Sequence, residues 1–497
     1  MRIPLEGTGS IDREQRARTG AALARVLPRE SILASDEEAL PYECDALTLY
    51  RQLPMLVVLP ASESEVAAVL RTCSALGVPV VPRGAGTGLS GGSLPHCGGV
   101  LMSLAKLDRI LCVDPLARTA RLQPGVRNAA ISEAAAQHGL FYAPDPSSQV
   151  ACMIGGNVAE NSGGIHCLKY GLTIHNVLAV RGFTMLGEEI EVGSAALDTP
   201  GLDLLSLVIG SEGTLMVVTE VLVRLLPRPA VARCLMASFD QVETAADAVA
   251  AIIAAGIVPA ALEMMDQAAT RMVEPFVGAG YDLDAAAILL CEADGSAVEV
   301  TEEIAIIENV LRAAGATRIQ VAASEAERLR FWAGRKNAFP AAGRVSPDYY
   351  CMDGTIPRRQ LARVLHAIRG MESTFGLRCP NVFHAGDGNL HPLILFDAND
   401  PDSVTRADEF GIAILNLCIE VGGTVTGEHG VGVEKINQLC SQFDAPTRDA
   451  FLAVRRAFDP DGRLNPGKAI PTLQRCAEYG RAHVRGGRLP FPDLPRY

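Results

Sequence analysis

The sequence predicts an α+β protein of two or three domains, and three observations carry that prediction. A strand–helix–strand pattern opens near residue 56 and runs on into further strands rather than into a second helix. Three clusters of glycine with short polar side chains follow in the first half of the chain. Beyond residue 230 apolar strand-like runs alternate with alanine-rich helical stretches, and a helix with a Pro–Gly turn comes near the end. The expected divisions are a helical lead-in over 1–50, a first domain over 51–229, a second over 230–440 and a closing segment over 441–497.

In order, residues 8–49 show Ala21, Leu23, Val26 and Leu27 partly at helical spacing. A short strand at 57–59 precedes Ser62, an N-cap with Glu65 three residues on, which predicts a capping box. The helix over 63–76 stops at Gly77, and 78–81 reads as the next strand. The loop that follows, Pro82, Arg83, Gly84, Ala85, Gly86, Thr87, Gly88, Leu89 and Ser90, is built mostly from residues small enough for backbone to approach a ligand. Successive N–H groups in such a loop make an anion-binding concavity. Because 98–104 reads as a strand, a βαβ dinucleotide-binding unit is not expected. The second cluster, at a turn, holds Pro144, Asp145 and Ser148, then Gly155, Gly156, Asn157, Ala159, Asn161, Gly163 and Gly164. The third holds Gly210, Ser211, Glu212 and Gly213. One extended ligand crossing several loops would account for all three, although any one alone reads better as an ordinary turn. Further on, the pattern predicts helices over 244–255, 302–314 and 444–458, a strand over 286–292, and a core helix in the apolar run 248–262.

Composition narrows the function. Charged residues are 20% and hydrophobic ones 48%, as in a globular enzyme. The net charge of −13 and the lack of a basic block disfavour nucleic acid as a partner. The first 20 residues mix charges and glycines, so no signal peptide is expected, and no apolar run is long enough to span a bilayer. The 13 cysteines stand singly with no CxxC, which argues against a disulfide framework and against an iron–sulfur cluster, and for a reducing cytoplasm.

The chemistry-bearing residues lie late. In Phe383-His384-Ala385-Gly386-Asp387-Gly388-Asn389-Leu390-His391, Asp-Gly predicts a two-residue type I′ hairpin. That register pairs 384 with 391 and brings two imidazoles face to face, as metal ligation needs; two core-satisfied histidines are the alternative. Glu428, in a glycine-rich stretch over 422–432, supplies a third ligand, and His429 is left as a base. Two histidines and a carboxylate leave open positions on a divalent metal. A buried Glu–His pair at a tight turn is the alternative.

The loop 82–93, the stretch 154–164 and Gly210-Ser211-Glu212-Gly213-Thr214 resemble the FAD-binding oxidoreductases of the vanillyl-alcohol oxidase type. The resemblance implies a two-part FAD-binding domain with an inserted α+β substrate domain. It implies pyrophosphate and isoalloxazine along these three clusters, and a closing segment around Asn465 that returns to the flavin. Neither histidine nor cysteine occurs in 83–93, so the implied FAD is non-covalent. The set His384, His391, Glu428 and His429 resembles, more narrowly, the flavin-dependent D-2-hydroxyacid dehydrogenases. There the first three residues bind a divalent metal, zinc or manganese, the fourth is the general base, and the position of Arg335 binds the substrate carboxylate. Where relatives acting on a dicarboxylate place a threonine and a lysine, this chain has Phe339 and Cys351, which implies a small 2-hydroxy monocarboxylate. The tail over 470–478 and 490–492 is similar to that of the D subunits of bacterial glycolate oxidases. This implies oxidation of glycolate, and of D-lactate, to the 2-oxoacid. The same resemblance implies partnership with a second flavin-domain subunit and an iron–sulfur subunit at the inner face of the cell membrane, with at most peripheral membrane association. A stand-alone D-lactate or other D-2-hydroxyacid dehydrogenase is the alternative.

Overall fold

Strands form where β-branched and aliphatic residues run together, and two families of sheets result. The structure, a computed structural model, describes residues 11–196 and 201–471. These divide into two compact units: residues 11–162, 172–196, 201–227 and 429–471 in the first, and residues 163–171 and 228–428 in the second.

In the first unit, Leu56–Val58 and Val80–Arg83 both pair in parallel with Val100–Ser103, and Ile32–Leu33 adds an antiparallel edge. The helix Glu63–Leu76 crosses between the first two strands, as its spacing predicts. Ser62 caps it by accepting from Glu65 N, but the Glu65 carboxylate turns to Ala61 N, one residue before the N-cap position of a capping box. The predicted lead-in is only partly helical: Arg13–Leu23 is its main helix, and Leu23, Leu27 and Ile32 enter the core beneath the sheet. A five-stranded antiparallel sheet in the order Ile110–Asp114, Thr119–Leu122, Val217–Arg224, Val177–Phe183, Glu189–Gly193 completes the unit. The stretch over 154–160, expected at a turn, is a helix, Ile154–Glu160, ended by Asn161 in the left-handed region. Close to its end the chain comes back: Leu464 bridges Val80, and Asn465 N donates to Val80 O at 2.7 Å. Helix Ala445–Phe458 leads into that return. The tail beyond residue 471 lies outside the described residues.

The second unit is built on one antiparallel sheet in the order Arg318–Val321, Val231–Phe239, Ala287–Gly295, Ala261–Asp266, Val382–Phe383. The apolar run 248–262 is not one helix: Val242–Ala254 stops, and the strand begins at Ala261. Gly256 and Pro259, both poor inside a helix, mark the break. Strand Ala287–Gly295 carries Glu292 and Asp294 into the interior, and buried carboxylates must be paired. Asp294 takes Lys169 Nζ at 2.6 Å and Tyr170 Oη at 2.7 Å, which ties residues 163–171 to this unit. Glu292 accepts from Arg328 Nη1 at 3.0 and 2.8 Å and from Trp332 Nε1 at 2.6 Å.

Burial alone would raise the Glu292 carboxyl, yet the His166 and Arg328 interactions hold it down to about 2. A depressed folded-state pKa adds stability that is present above the ordinary carboxyl value and is lost as pH falls through the folded one. Glu292→Gln is therefore expected to cost on the order of 3 kcal/mol at pH 7. The deficit should shrink below pH ~4.5 and vanish near pH 2. Trp332, the one tryptophan of the chain, reports this unfolding by its fluorescence in denaturant.

Candidate active site

In the first unit the structure brings the three small-residue clusters together. Gly210 N donates to Val158 O at 2.9 Å and Glu212 N to Ala159 O at 2.7 Å, so the third cluster is stitched to helix Ile154–Glu160. Asn128 links Pro144 O, at 2.9 Å, to the Asn157 amide, at 2.8 Å, which anchors the second cluster internally. A Cβ at Gly84 would lie 3.8 Å from Gly156 N, and one at Gly213 would press on Pro82 Cγ at 2.8 Å. Residues 84–89 are half-buried. Among the described residues, the backbone N–H groups of Ala85, Gly86, Thr87, Gly88 and Leu89 find no acceptor in the protein. Five successive donors lining small side chains suit a pyrophosphate, so the loop fits FAD.

Some residues expected on the cofactor have side chains engaged elsewhere. Arg83 folds back to donate to Cys44 O at 2.7 Å. The Glu212 carboxylate accepts from Val431 N and Gly432 N, both at 2.7 Å. The Asn465 amide donates to Gly92 O at 2.9 Å and Glu212 O at 2.7 Å. The Asn161 carbonyl oxygen takes Ile174 N at 2.9 Å. These side-chain bonds fix the shape of the loops. Asp145 and Ser148 sit half-buried on the second cluster, whereas Gly163 and Gly164 pack with the second unit.

In the second unit His384, His391 and Glu428 converge. Glu428 Oε1 lies 3.1 Å from His391 Nε2 and 3.4 Å from His384 Nε2, and one ligand atom of each residue lies within 4.8 Å of the others. The rings stand edge to face with centroids 5.0 Å apart. The register that brings them there differs from the expected hairpin. His384 pairs with Asn389, not His391, and Gly388 N donates to His384 O, so the loop has four residues. A type I′ turn needs φ > 0 at both central residues; only Gly388 has it (φ 86), while Asp387 caps Asn389 N at 3.0 Å. His384 directly follows strand Val382–Phe383 and His391 lies two residues before strand Leu393–Phe396, which fixes both backbones.

Asp353, fully buried, sets Glu428: it accepts from Thr426 Oγ1 at 2.5 Å, Gly427 N at 3.1 Å and Glu428 N at 3.2 Å. Burial opposes charge on Glu428, but hydrogen bonds and charge from His384 and His391 hold its carboxyl well below the usual range. Likewise burial lowers His384, and Glu263 with Glu428 outweighs it, so the ring is held well above an ordinary histidine. Arg335, at the end of helix Glu325–Lys336, lies 3.4 Å from His384 Nε2 through Nη2. An acceptor oxygen, two imidazoles and an arginine in one buried cluster can hold a divalent cation beside a carboxylate. Glu428 is the last residue of the second unit and His429 the first back in the first unit. Gly430 (φ 83) turns the chain directly after it, where a Cβ would collide with the Glu160 carboxylate.

Sequence reasoning missed Glu263 and Asp353. Glu263 interrupts the run Ala-Leu-Glu-Met-Met, every residue of which is buried, and a lone carboxylate in an apolar strand was the readable signal. Asp353 stands in Met-Asp-Gly-Thr, where it reads as an ordinary turn residue.

Two family descriptions match: an FAD binding domain over residues 54–193 and the C-terminal domain of FAD linked oxidases over 228–469. Glycolate oxidase subunit GlcD of Escherichia coli strain K12 is 59% identical over 489 residues, covering 98% of each chain. The chain belongs to the FAD-linked oxidase family. A D-lactate dehydrogenase of Anaerostipes hadrus is 32% identical over 452 residues, 88% of this chain and 94% of its own. In fold, p-cresol methylhydroxylase superposes with a TM-score of 0.79 at 15% identity, over 93% of this chain and 98% of its own. That likeness speaks for the architecture of the family, a two-part FAD-binding domain with an inserted substrate domain.

As a test of this cluster as a candidate metal site, His391→Ala and Glu428→Gln are expected to weaken divalent-metal binding at least tenfold while flavin content stays at the wild-type level, because the loop 84–89 and the cluster belong to different units. Metal analysis and flavin absorbance on the purified variants check this.

Proposed function

We propose that this FAD-dependent enzyme oxidises glycolate, and also D-lactate, to the 2-oxoacid. The observation that carries the reading is the convergence of His384, His391 and Glu428 within 4.8 Å, beside the Arg335 guanidinium. Arg335 binds the substrate carboxylate, for which its planar donors are suited. His384 Nε2, His391 Nε2 and Glu428 Oε1 hold a divalent metal, zinc or manganese, which when bound supplies Lewis acidity toward the substrate hydroxyl. His429 takes the hydroxyl proton, a task an imidazole performs near neutral pH. Non-covalent FAD on the 84–89 loop, when bound, supplies the acceptor for the hydride from Cα. One hydride, which carries both electrons, thus leaves the substrate carbon, and one proton stays on His429.

A monocarboxylate is favoured over a dicarboxylate. Phe339 packs against Tyr349, ring centroids 5.7 Å apart, in an apolar cluster with buried Cys351, and neither Phe339 nor Cys351 supplies the charge a second carboxylate needs. The E. coli relative is named a subunit, and no described helix is long and apolar enough to cross a membrane. The electrons are therefore assigned to a partner: a second flavin-domain subunit with an iron–sulfur subunit, in the cytoplasm at the inner face of the membrane. A stand-alone D-lactate dehydrogenase is the second reading, supported by the Anaerostipes relative.

Anaerobic addition of glycolate or D-lactate to the purified chain should bleach the flavin, and equal concentrations of L-lactate and D-2-hydroxyglutarate should not. Bleaching by D-2-hydroxyglutarate alone would remove the monocarboxylate reading. Fast turnover of the single chain with a quinone would favour the stand-alone enzyme. Arg335→Lys should raise KM for glycolate about tenfold or more in dye-coupled assays, since a lysine keeps the charge and loses the paired donors.

A further inference from the structure

Glu263 is fully buried in strand Ala261–Asp266, and its two oxygens go to two different parts of the candidate site. Oε2 accepts from Arg335 Nε at 2.6 Å, and Oε1 meets His384 Nδ1 at 2.7 Å. One rigid carboxylate therefore spans the cation assigned to the substrate carboxylate and a histidine assigned to the metal. We infer that Glu263 is a positioning residue that locks these two anchors together and so selects acids whose hydroxyl sits on the carbon next to the carboxylate. The inference rests on the reading of the site given above.

Three features support it. An ionised carboxylate only accepts hydrogen bonds, so His384 must carry a hydrogen on Nδ1, and the proton that a metal displaces is the one on Nε2, the atom facing Glu428. Arg335 gives its Nε to Glu263, which leaves Nη1, and Nη2 once a metal takes the His384 Nε2 it now faces, for a substrate carboxylate. The separation is short: Arg335 Nη2 lies 3.4 Å from His384 Nε2. A carboxylate on the first and an oxygen on a metal at the second fit adjacent carbons, and a 3-hydroxy acid would need an extra carbon between them.

Glutamine at 263 offers one acceptor where two N–H groups need one each. Either Arg335 faces an amide NH₂, or His384 must flip its hydrogen to Nε2 and give up the metal lone pair. The test uses the FAD-loaded full chain and Mn²⁺. Glu263→Gln should bind Mn²⁺ about 10–100-fold more weakly than wild type. At saturating Mn²⁺ its KM for glycolate should rise about tenfold, with a smaller fall in kcat, and its preference for glycolate over 3-hydroxypropanoate should narrow. A merely structural role would lower the active fraction, and so kcat, with KM and Mn²⁺ affinity unchanged. Wild-type Mn²⁺ binding together with unaltered affinity and KM in Glu263→Gln would overturn the assignment of Glu263 alone. Absence of Mn²⁺ binding by the wild type would overturn the metal reading and this inference with it. Should Glu263→Gln fail to fold, ¹⁵N-histidine NMR of the wild-type chain without metal decides. Hydrogen on His384 Nδ1 is expected, and hydrogen on Nε2 alone would overturn the proposal.

Discussion

Charge taken out of water has to be matched within the protein, and the second unit is organised by that requirement. Glu263, Arg335, His384 and His391 are all nearly or fully buried, and Asp353 is completely so. None could be held there alone. Glu263 is pulled below its ordinary range against its burial because His384 and Arg335 face it, and Glu428 likewise because two histidines face it. Removing one partner strands the others, so the cluster behaves as a unit. The same rule operates further from the site, where Glu292 gathers Arg328 and Trp332 and Asp294 gathers Lys169 and Tyr170.

The first unit solves the opposite problem. Its candidate cofactor loop carries few charges, and among the described residues the N–H groups over 85–89 meet no protein acceptor. The ionic and amide side chains nearby hold backbone. Glu212 pins Val431 and Gly432, directly after His429, and Asn465 pins Gly92 and Glu212. Lys435 Nζ adds a bond to Gly430 O at 3.1 Å. A polar residue in a glycine-rich cluster thus need not touch the ligand; here several of them hold the glycines in shape.

Much of this was legible in the sequence, for definite reasons. The helix Glu63–Leu76 announces both ends, Ser62 and Gly77, and its limits agree with the structure. The three small-residue clusters are recognisable because a close ligand demands small side chains in runs. The two histidines around Asp387-Gly388 were found, but through a register the structure does not adopt: the Asp387 carboxylate on Asn389 N and the positive φ of Gly388 go with a longer loop that one-dimensional turn rules do not separate from a type I′ turn. The run 248–262 shows the limit of hydrophobicity, which reports burial and not whether a helix or a strand is buried. Glu263 and Asp353 were missed because their meaning lies in long-range contacts: Glu263 meets residues 72 and 121 positions away.

The proposed function needs two groups for one chemical step, FAD and a divalent metal on His384, His391 and Glu428. Rapid anaerobic mixing with glycolate, protiated or deuterated at C2, tests it most directly when the FAD-loaded chain is compared after metal removal and after metal restoration. The account predicts flavin bleaching with a deuterium isotope effect in the restored protein. It predicts no glycolate-driven bleaching in the metal-free protein, whose FAD is still bound and still reducible by dithionite. Equal bleaching rates with and without metal would contradict it.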